Sequence, residues 1–137
     1  MPADLDQLAV GDEIPTRSQP AGFPAWNRFA AVNDEFIPIH MDDEAGRAAG
    51  YDGAFGMGYL QWSLLHAVVR NWIGAAGRIV EMTCSFRGPS LKGLDVEAGG
   101  KIVAIDDGPD GRVVSLEIWT RAGDKVLAPG TAKVVLR

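Results

Sequence analysis

One long apolar stretch with helical spacing, followed only by strand-like runs, limits most sharply how this chain can fold. Leu60, Leu64, Leu65, Val68, Val69 and Trp72 recur at three- and four-residue steps, the spacing that lines one face of an α-helix. Trp62, Ala67 and Ile73 widen that face beyond a single stripe. The helix, over residues 56–73, is therefore expected to be covered on most sides. Gly74 and Gly77 end it. Val80, Met82, Cys84 and Phe86 then alternate with Glu81, Thr83, Ser85 and Arg87, the period of two of a half-buried strand, until Gly88-Pro89 breaks the run. A second strand covers 96–105, with Gly99-Gly100 expected as a bulge or bend. The turn signal Asp107-Gly108-Pro109-Asp110-Gly111 leads into a run where Val114, Leu116 and Ile118 alternate with Ser115, Glu117 and Trp119. Ala122-Gly123-Asp124 predicts a hairpin turn, and a last strand runs over 125–136, interrupted at Pro129-Gly130.

The first forty residues are mixed and turn-rich. Residues 10–18 can form a strand, and Pro15 suits a sheet edge, where a missing N–H is tolerated. Residues 23–32 read as a short helix with Pro24 in its first turn. Another covers 42–49, acidic at its start as the helix dipole favours, and stopped by Gly50. Four late strands with hairpin-length connections pair antiparallel. The expected fold is α+β: a single domain over 1–137, with a curled antiparallel sheet wrapped around one long central helix. The helix and the open sheet edge both favour a partner subunit, so a dimer is expected.

Bulk properties narrow the function. Hydrophobic residues make up 47% and charged residues 23%, proportions that favour a packed core over disorder. The net charge of −5 argues against nucleic acid or an anionic membrane surface as partner. No apolar segment reaches the ~18 residues of a membrane span. The N-terminal segment carries Asp4, Asp6 and Asp12 without a basic run before an apolar stretch, so no secretory leader is expected and a cytoplasmic location is the default. The single cysteine, Cys84, excludes an intrachain disulfide and a cysteine-based zinc cluster. On the apolar side of its strand it reads as a buried, inert thiol.

Only two histidines can act as general acid or base near neutral pH. His66 lies within the apolar helix, one turn from Trp62 and Arg70, and reads as a packing residue. His40 follows carboxylates at 34 and 35 and precedes another pair at 42 and 43. Such a neighbourhood can orient an imidazole or share proton transfer with it, though a surface-loop histidine has the same local spacing. The run Asp42-Asp43-Glu44 fits an acidic helix start better than a metal site, since no second histidine or cysteine accompanies it. Trp26, Trp62, Trp72 and Trp119 read as core and interface residues rather than a base-stacking platform.

The stretch Phe29-Ala30-Ala31-Val32-Asn33-Asp34-Glu35-Phe36-Ile37-Pro38-Ile39-His40, its acidic continuation to Ala45, the pair Gly50-Tyr51 and the segment Ala54-Phe55-Gly56-Met57-Gly58-Tyr59-Leu60 resemble the MaoC-like (R)-specific enoyl-CoA hydratases. The resemblance covers most of the chain and implies the hotdog fold. It also implies an aspartate–histidine dyad that activates water for addition to a 2-enoyl thioester. Register from Pro38 and His40 puts Glu35 at the family's aspartate and Asp34 at its glycine, with Ile37 in place of asparagine. Glu35 is one methylene longer than aspartate, and Asp34 can supply the carboxylate if the loop shifts by one residue. The resemblance assigns thioester binding to the start of the central helix, at Gly56, Met57 and Gly58, where backbone N–H groups would stabilise an oxyanion. A loop-to-helix corner explains the same glycines. No resident cofactor or metal is implied, coenzyme A entering as the substrate's thioester.

Three activities fit this picture. One is hydration of a 2-enoyl-CoA with the reverse dehydration of a 3-hydroxyacyl-CoA. The second is a non-catalytic or half-catalytic subunit that pairs with another hotdog chain, suggested by the altered 33–37 loop. The third is thioester hydrolysis on the same fold, against which stands the Pro38-Ile39-His40 text. Either a homodimer or a heterodimer with another hotdog chain satisfies the resemblance.

Overall fold

The computed structural model describes residues 4–137, so the first residues of the domain expected over 1–137 lie outside the described residues. Five strands form one sheet: β1 (Glu13–Pro20), β2 (Gly77–Cys84), β3 (Asp95–Gly108), β4 (Gly111–Ala122) and β5 (Lys125–Leu136). Three α-helices, α1 (Phe23–Asn33), α2 (Asp43–Ala48) and α3 (Gly58–Ile73), lie between β1 and β2. The sheet is antiparallel throughout, in the order β1-β3-β4-β5-β2. It curls around α3. This is the expected α+β hotdog architecture.

The helix and the sheet share one apolar core. From α3 come Leu64, Leu65, Val68, Val69, Trp72 and Ile73, all buried, on the three- and four-residue spacing of the sequence. From β4 come Val114, Leu116 and Ile118, each at most 1% exposed, alternating toward the helix. Burying each aliphatic side chain of this size contributes about 1.5–3 kcal/mol, so this contact dominates the stability of the domain. A smaller cluster of Trp26, Ala30, Ala54 and Met57 packs α1 against the segment that leads into α3.

Turn chemistry matches the sequence. Pro24 sits in the first turn of α1, where its missing N–H has no partner to lose. Asp42 caps α2 by accepting from the Glu44 and Ala45 amides. Gly50 and Gly74, with φ of 96° and 52°, follow α2 and α3 in a conformation that glycine adopts without a Cβ clash.

Pairing departs from the expectation in five places. β2 does not form a hairpin with β3; it lies at the far edge and pairs with β5, and residues 85–94 form a long connection past the start of α3 rather than a turn. Its alternation slips at a bulge between Ile79 and Glu81. Val80 therefore turns outward, 44% exposed, while Ile79, Met82 and Cys84 pack against the core, and Phe86 lies beyond the strand at 53% exposed. The early strand covers 13–20 rather than 10–18 and lies at the edge, as Pro15 suggests. Gly99-Gly100 stays in regular pairing with β4; the bulge is on β1, between Ile14 and Arg17, opposite Gly99. β5 runs without interruption through Pro129-Gly130. The Pro129 carbonyl accepts from the Ser85 amide just past the end of β2, so the proline forgoes only the return bond of that pair, at the sheet edge.

Cys84 is half-buried, and desolvation pushes its thiol pKa up, which suits an inert thiol. His66 is also half-buried and packs edge-on against Trp62, with ring centroids 4.9 Å apart.

Candidate active site

His40 ends a single 3₁₀ turn, Pro38–His40, that Pro38 starts and Asp42 closes by capping α2. The imidazole is only 6% exposed. Its Nδ1–H donates to the Phe55 carbonyl at 2.7 Å, and the Phe55 amide donates back to the Ile39 carbonyl at 3.2 Å. The Phe55 ring meets the imidazole edge-on, 5.3 Å between centroids. A carbonyl can only accept, so neutral His40 carries its proton on Nδ1 and its lone pair on Nε2. A base oriented this way needs no further partner to fix its tautomer.

The strand of chain that holds His40 in place is itself held tightly. A Cβ on Gly46 of α2 would come within 2.0 Å of the Gly53 carbonyl, so only glycine permits this backbone contact. Asp43 Oδ1 accepts from the Ala54 amide at 2.9 Å and from Lys92 Nζ at 2.6 Å. The hydrogen bond from Lys92, then that from Ala54, holds the Asp43 carboxyl below its ordinary range. Lys92 in turn lies over the Phe23 ring, 4.7 Å from its centroid. One carboxylate thus ties α2, the 53–54 turn and the β2–β3 connection together.

A cleft of about 200 Å³ opens between the 51–58 turn and residues 86–89, with His40, Tyr51, Phe55, Gly56, Gly58, Gln61 and Arg87 on its wall. The start of α3 points into this region without a side-chain cap at Met57. Leu60 and Gln61 turn their amides back to the Met57 carbonyl, while the amides of Gly58 and Tyr59 have no acceptor among the described residues. Such amides at a helix N-terminus attract negative charge.

The three residues at the helix entry divide. The Gly56 amide donates to the Ser90 carbonyl at 2.8 Å and is not free for an oxyanion. Its lack of a side chain serves packing, since a Cβ there would lie 2.7 Å from Trp26 Nε1. The Met57 side chain is fully buried beside Trp26 and Ala54, so a ligand can reach its backbone only. Gly58 keeps its amide, and the Phe86 ring lies 3.3 Å from where a Cβ would be.

The two carboxylates divide as well. Asp34 is the left-handed C-terminal cap of α1, at φ 51°, exposed to solvent. That conformation explains a glycine at the corresponding place in the motif, with aspartate among the few residues that tolerate it. Glu35 is half-buried, and its carboxylate accepts from Asn33 Nδ2 at 3.1 Å. Neither lines the cleft of His40. The fold brings together His40, Gly56 and Gly58, and leaves both carboxylates on the loop before them. No three His, Cys, Asp or Glu side chains among the described residues come close enough to hold a metal ion. Among the described residues, no helix is long and apolar enough to cross a membrane.

Gln61, Phe86 and Arg87 line the cleft, and sequence reasoning did not assign them to the candidate site. For Gln61 the signal was present: a polar residue on the stripe continued by Leu64, Leu65 and Val68.

The family described as the MaoC like domain matches residues 11–118. This chain is a MaoC-like domain. No curated protein sequence matches it significantly. Among solved structures, the MaoC-like domain superposes on the (R)-hydratase from A. caviae involved in PHA biosynthesis with a TM-score of 0.82 at 23% identity, covering 96% of this chain and 98% of that one. It matches the ChsH1–ChsH2 complex from Mycobacterium tuberculosis with a TM-score of 0.82 at 19% identity, covering 94% and 98%. A longer protein described as a MaoC-like dehydratase is 26% identical with a TM-score of 0.83, over 96% of this chain and 42% of the other. The fold of hydratases and of a complex of two different chains is thus the fold of this MaoC-like domain.

Proposed function

We propose that this MaoC-like domain adds water to a trans-2-enoyl thioester to give an (R)-3-hydroxyacyl thioester, and runs the reverse dehydration. The observation that carries this reading is His40, a buried imidazole on the cleft wall with Nδ1 committed to Phe55 and Nε2 left as the lone-pair nitrogen. In the forward direction Nε2 takes a proton from water as the oxygen bonds to the β-carbon. The electron pair moves to the thioester carbonyl, whose oxygen the Gly58 and Tyr59 amides stabilise. The protonated Nε2 then gives that proton to the α-carbon and regains its lone pair, so atoms balance without a redox partner. Register with the motif makes Glu35 the carboxylate of the dyad, a role that requires its side chain to leave Asn33 and turn toward the cleft. Arg87, exposed at the cleft mouth, offers a cation to the phosphates of a coenzyme A thioester.

Crotonyl-CoA tests the reading. Loss of the conjugated thioester absorbance without release of free thiol, abolished by His40→Ala, is the expected result. Thiol release would make the protein a thioesterase, and activity indifferent to His40→Ala would remove the residue from the mechanism.

The lack of a carboxylate on the cleft wall favours one second reading. The chain then acts as one subunit beside another hotdog chain that completes the site. In that case the purified chain alone leaves crotonyl-CoA unchanged, and activity appears on mixing with the second chain.

A further inference from the structure

Two inward stripes that are otherwise apolar each carry one polar residue, and the fold brings the pair together. On α3, Gln61 precedes Leu64, Leu65 and Val68 on the buried face; on β4, Thr120 follows Val114, Leu116 and Ile118. Gln61 is 3% exposed and Thr120 is fully buried. The Thr120 hydroxyl donates to Gln61 Oε1 at 2.5 Å, and Gln61 Nε2 donates to the Gly88 carbonyl at 3.3 Å. With both ends of its amide engaged, Gln61 cannot rotate without stranding a buried polar group. It is fixed in one orientation.

Gln61 also stands between two cavities. The outer one is the His40 cleft. The inner one is an apolar space of about 10 Å³ lined by Trp26, Met57, Leu60, Leu64 and Val96. Among the described residues, Gln61 is the one shared by both walls. The inner space is only large enough for about one water molecule, so nothing longer passes behind Gln61 as the domain stands.

We propose that Gln61, held by Thr120 and Gly88, is the floor of the acyl subsite and restricts this MaoC-like domain to short-chain 2-enoyl thioesters. The proposal deepens the hydratase reading and rests on its placement of the thioester oxygen at the Gly58 amide. Gln61 lies three residues further along α3, about 4.5 Å deeper at the helical rise. An extended acyl group of about four carbons spans a similar reach. Longer chains would press methylenes against a committed amide, where burial brings no apolar contact.

The test compares saturated butyryl-, hexanoyl- and octanoyl-CoA by calorimetry, with crotonyl-CoA hydration measured separately. Wild type is expected to bind butyryl-CoA most tightly and octanoyl-CoA at least tenfold more weakly. Gln61→Ala joins the two cavities and should reverse that order, gaining about fourfold per added methylene. Because Gln61→Ala leaves the Thr120 hydroxyl unpaired, the Gln61→Ala/Thr120→Val double variant guards against a folding defect and should show the same reversal. Gln61→Leu keeps the floor and should retain the short-chain preference. Octanoyl-CoA binding to wild type as tightly as butyryl-CoA, or an unchanged chain-length order in a folded Gln61→Ala or double variant, would overturn the proposal. Short-chain binding that responds to Gln61→Ala without crotonyl-CoA turnover would sink the hydration reading and leave the floor standing. Turnover with an unchanged order would do the reverse.

Discussion

The core between α3 and the sheet and the segment from α1 to the start of α3 are built on different principles. The core consists of apolar side chains, nearly all aliphatic, from α3 and from strands β1, β3, β4 and β5, each buried and held by volume rather than by directional bonds. The segment over residues 33–57 holds its shape through specific contacts: His40 on Phe55, Asp43 on Ala54 and Lys92, and Gly46 against Gly53. Area holds the first, and geometry holds the second. The bulk of the apolar burial therefore resides in one region and the placement of the candidate site in the other.

Substitutions can break that division or sharpen it. The largest effect is expected from His40→Ala, which should lower crotonyl-CoA hydration by at least about a hundredfold, with a loss of about 1–3 kcal/mol in equilibrium unfolding for the Phe55 carbonyl left unpaired. A larger loss of stability would show that His40 is a core residue first. Leu65→Ala, at the centre of α3 and fully buried, should act on stability alone. Equilibrium unfolding should show a loss of about 2–5 kcal/mol, with the rate per folded molecule retained.

Asp34→Gly is expected to leave hydration intact and raise stability by up to about 1 kcal/mol, because glycine adopts the left-handed cap without a Cβ clash. Lost activity in that variant would move the catalytic carboxylate from Glu35 to Asp34. The smallest effect is a pH dependence. The depressed pKa of Asp43 means that its bonds to Lys92 and Ala54 favour the folded state above its ordinary pKa of 3.8 and cease to do so as pH falls through the lower folded value. Lys92→Met should therefore be less stable than wild type above about pH 4, with the two curves converging in acid. A gap that persists in acid would assign the contact to packing of Lys92 over Phe23.

Much of the candidate site was legible. His40 and Gly58 lie in the cleft, and the alternation of β4 fixed which face meets the helix. What stayed hidden was the state of individual polar groups. The Gly56 amide is committed to Ser90, a residue of the long connection after β2, and no local pattern announces that bond. The left-handed turn at Asp34 takes the first carboxylate out to solvent, and motif text carries no dihedral angle.

By itself the sequence determined the helix of α3, the inward face of β4, the turns at Gly108–Gly111 and Gly123-Asp124, and membership in the MaoC-like family. Each of these is written in periods of two or 3.6 residues, or in contiguous motif residues, and so is local. Only the tertiary structure decided that β2 pairs with β5 at the far edge and that Gln61 meets Thr120. Those contacts join residues about sixty or fifty positions apart in the chain. Their partners are chosen by how a curled sheet closes over one helix, a choice that no short window of residues contains.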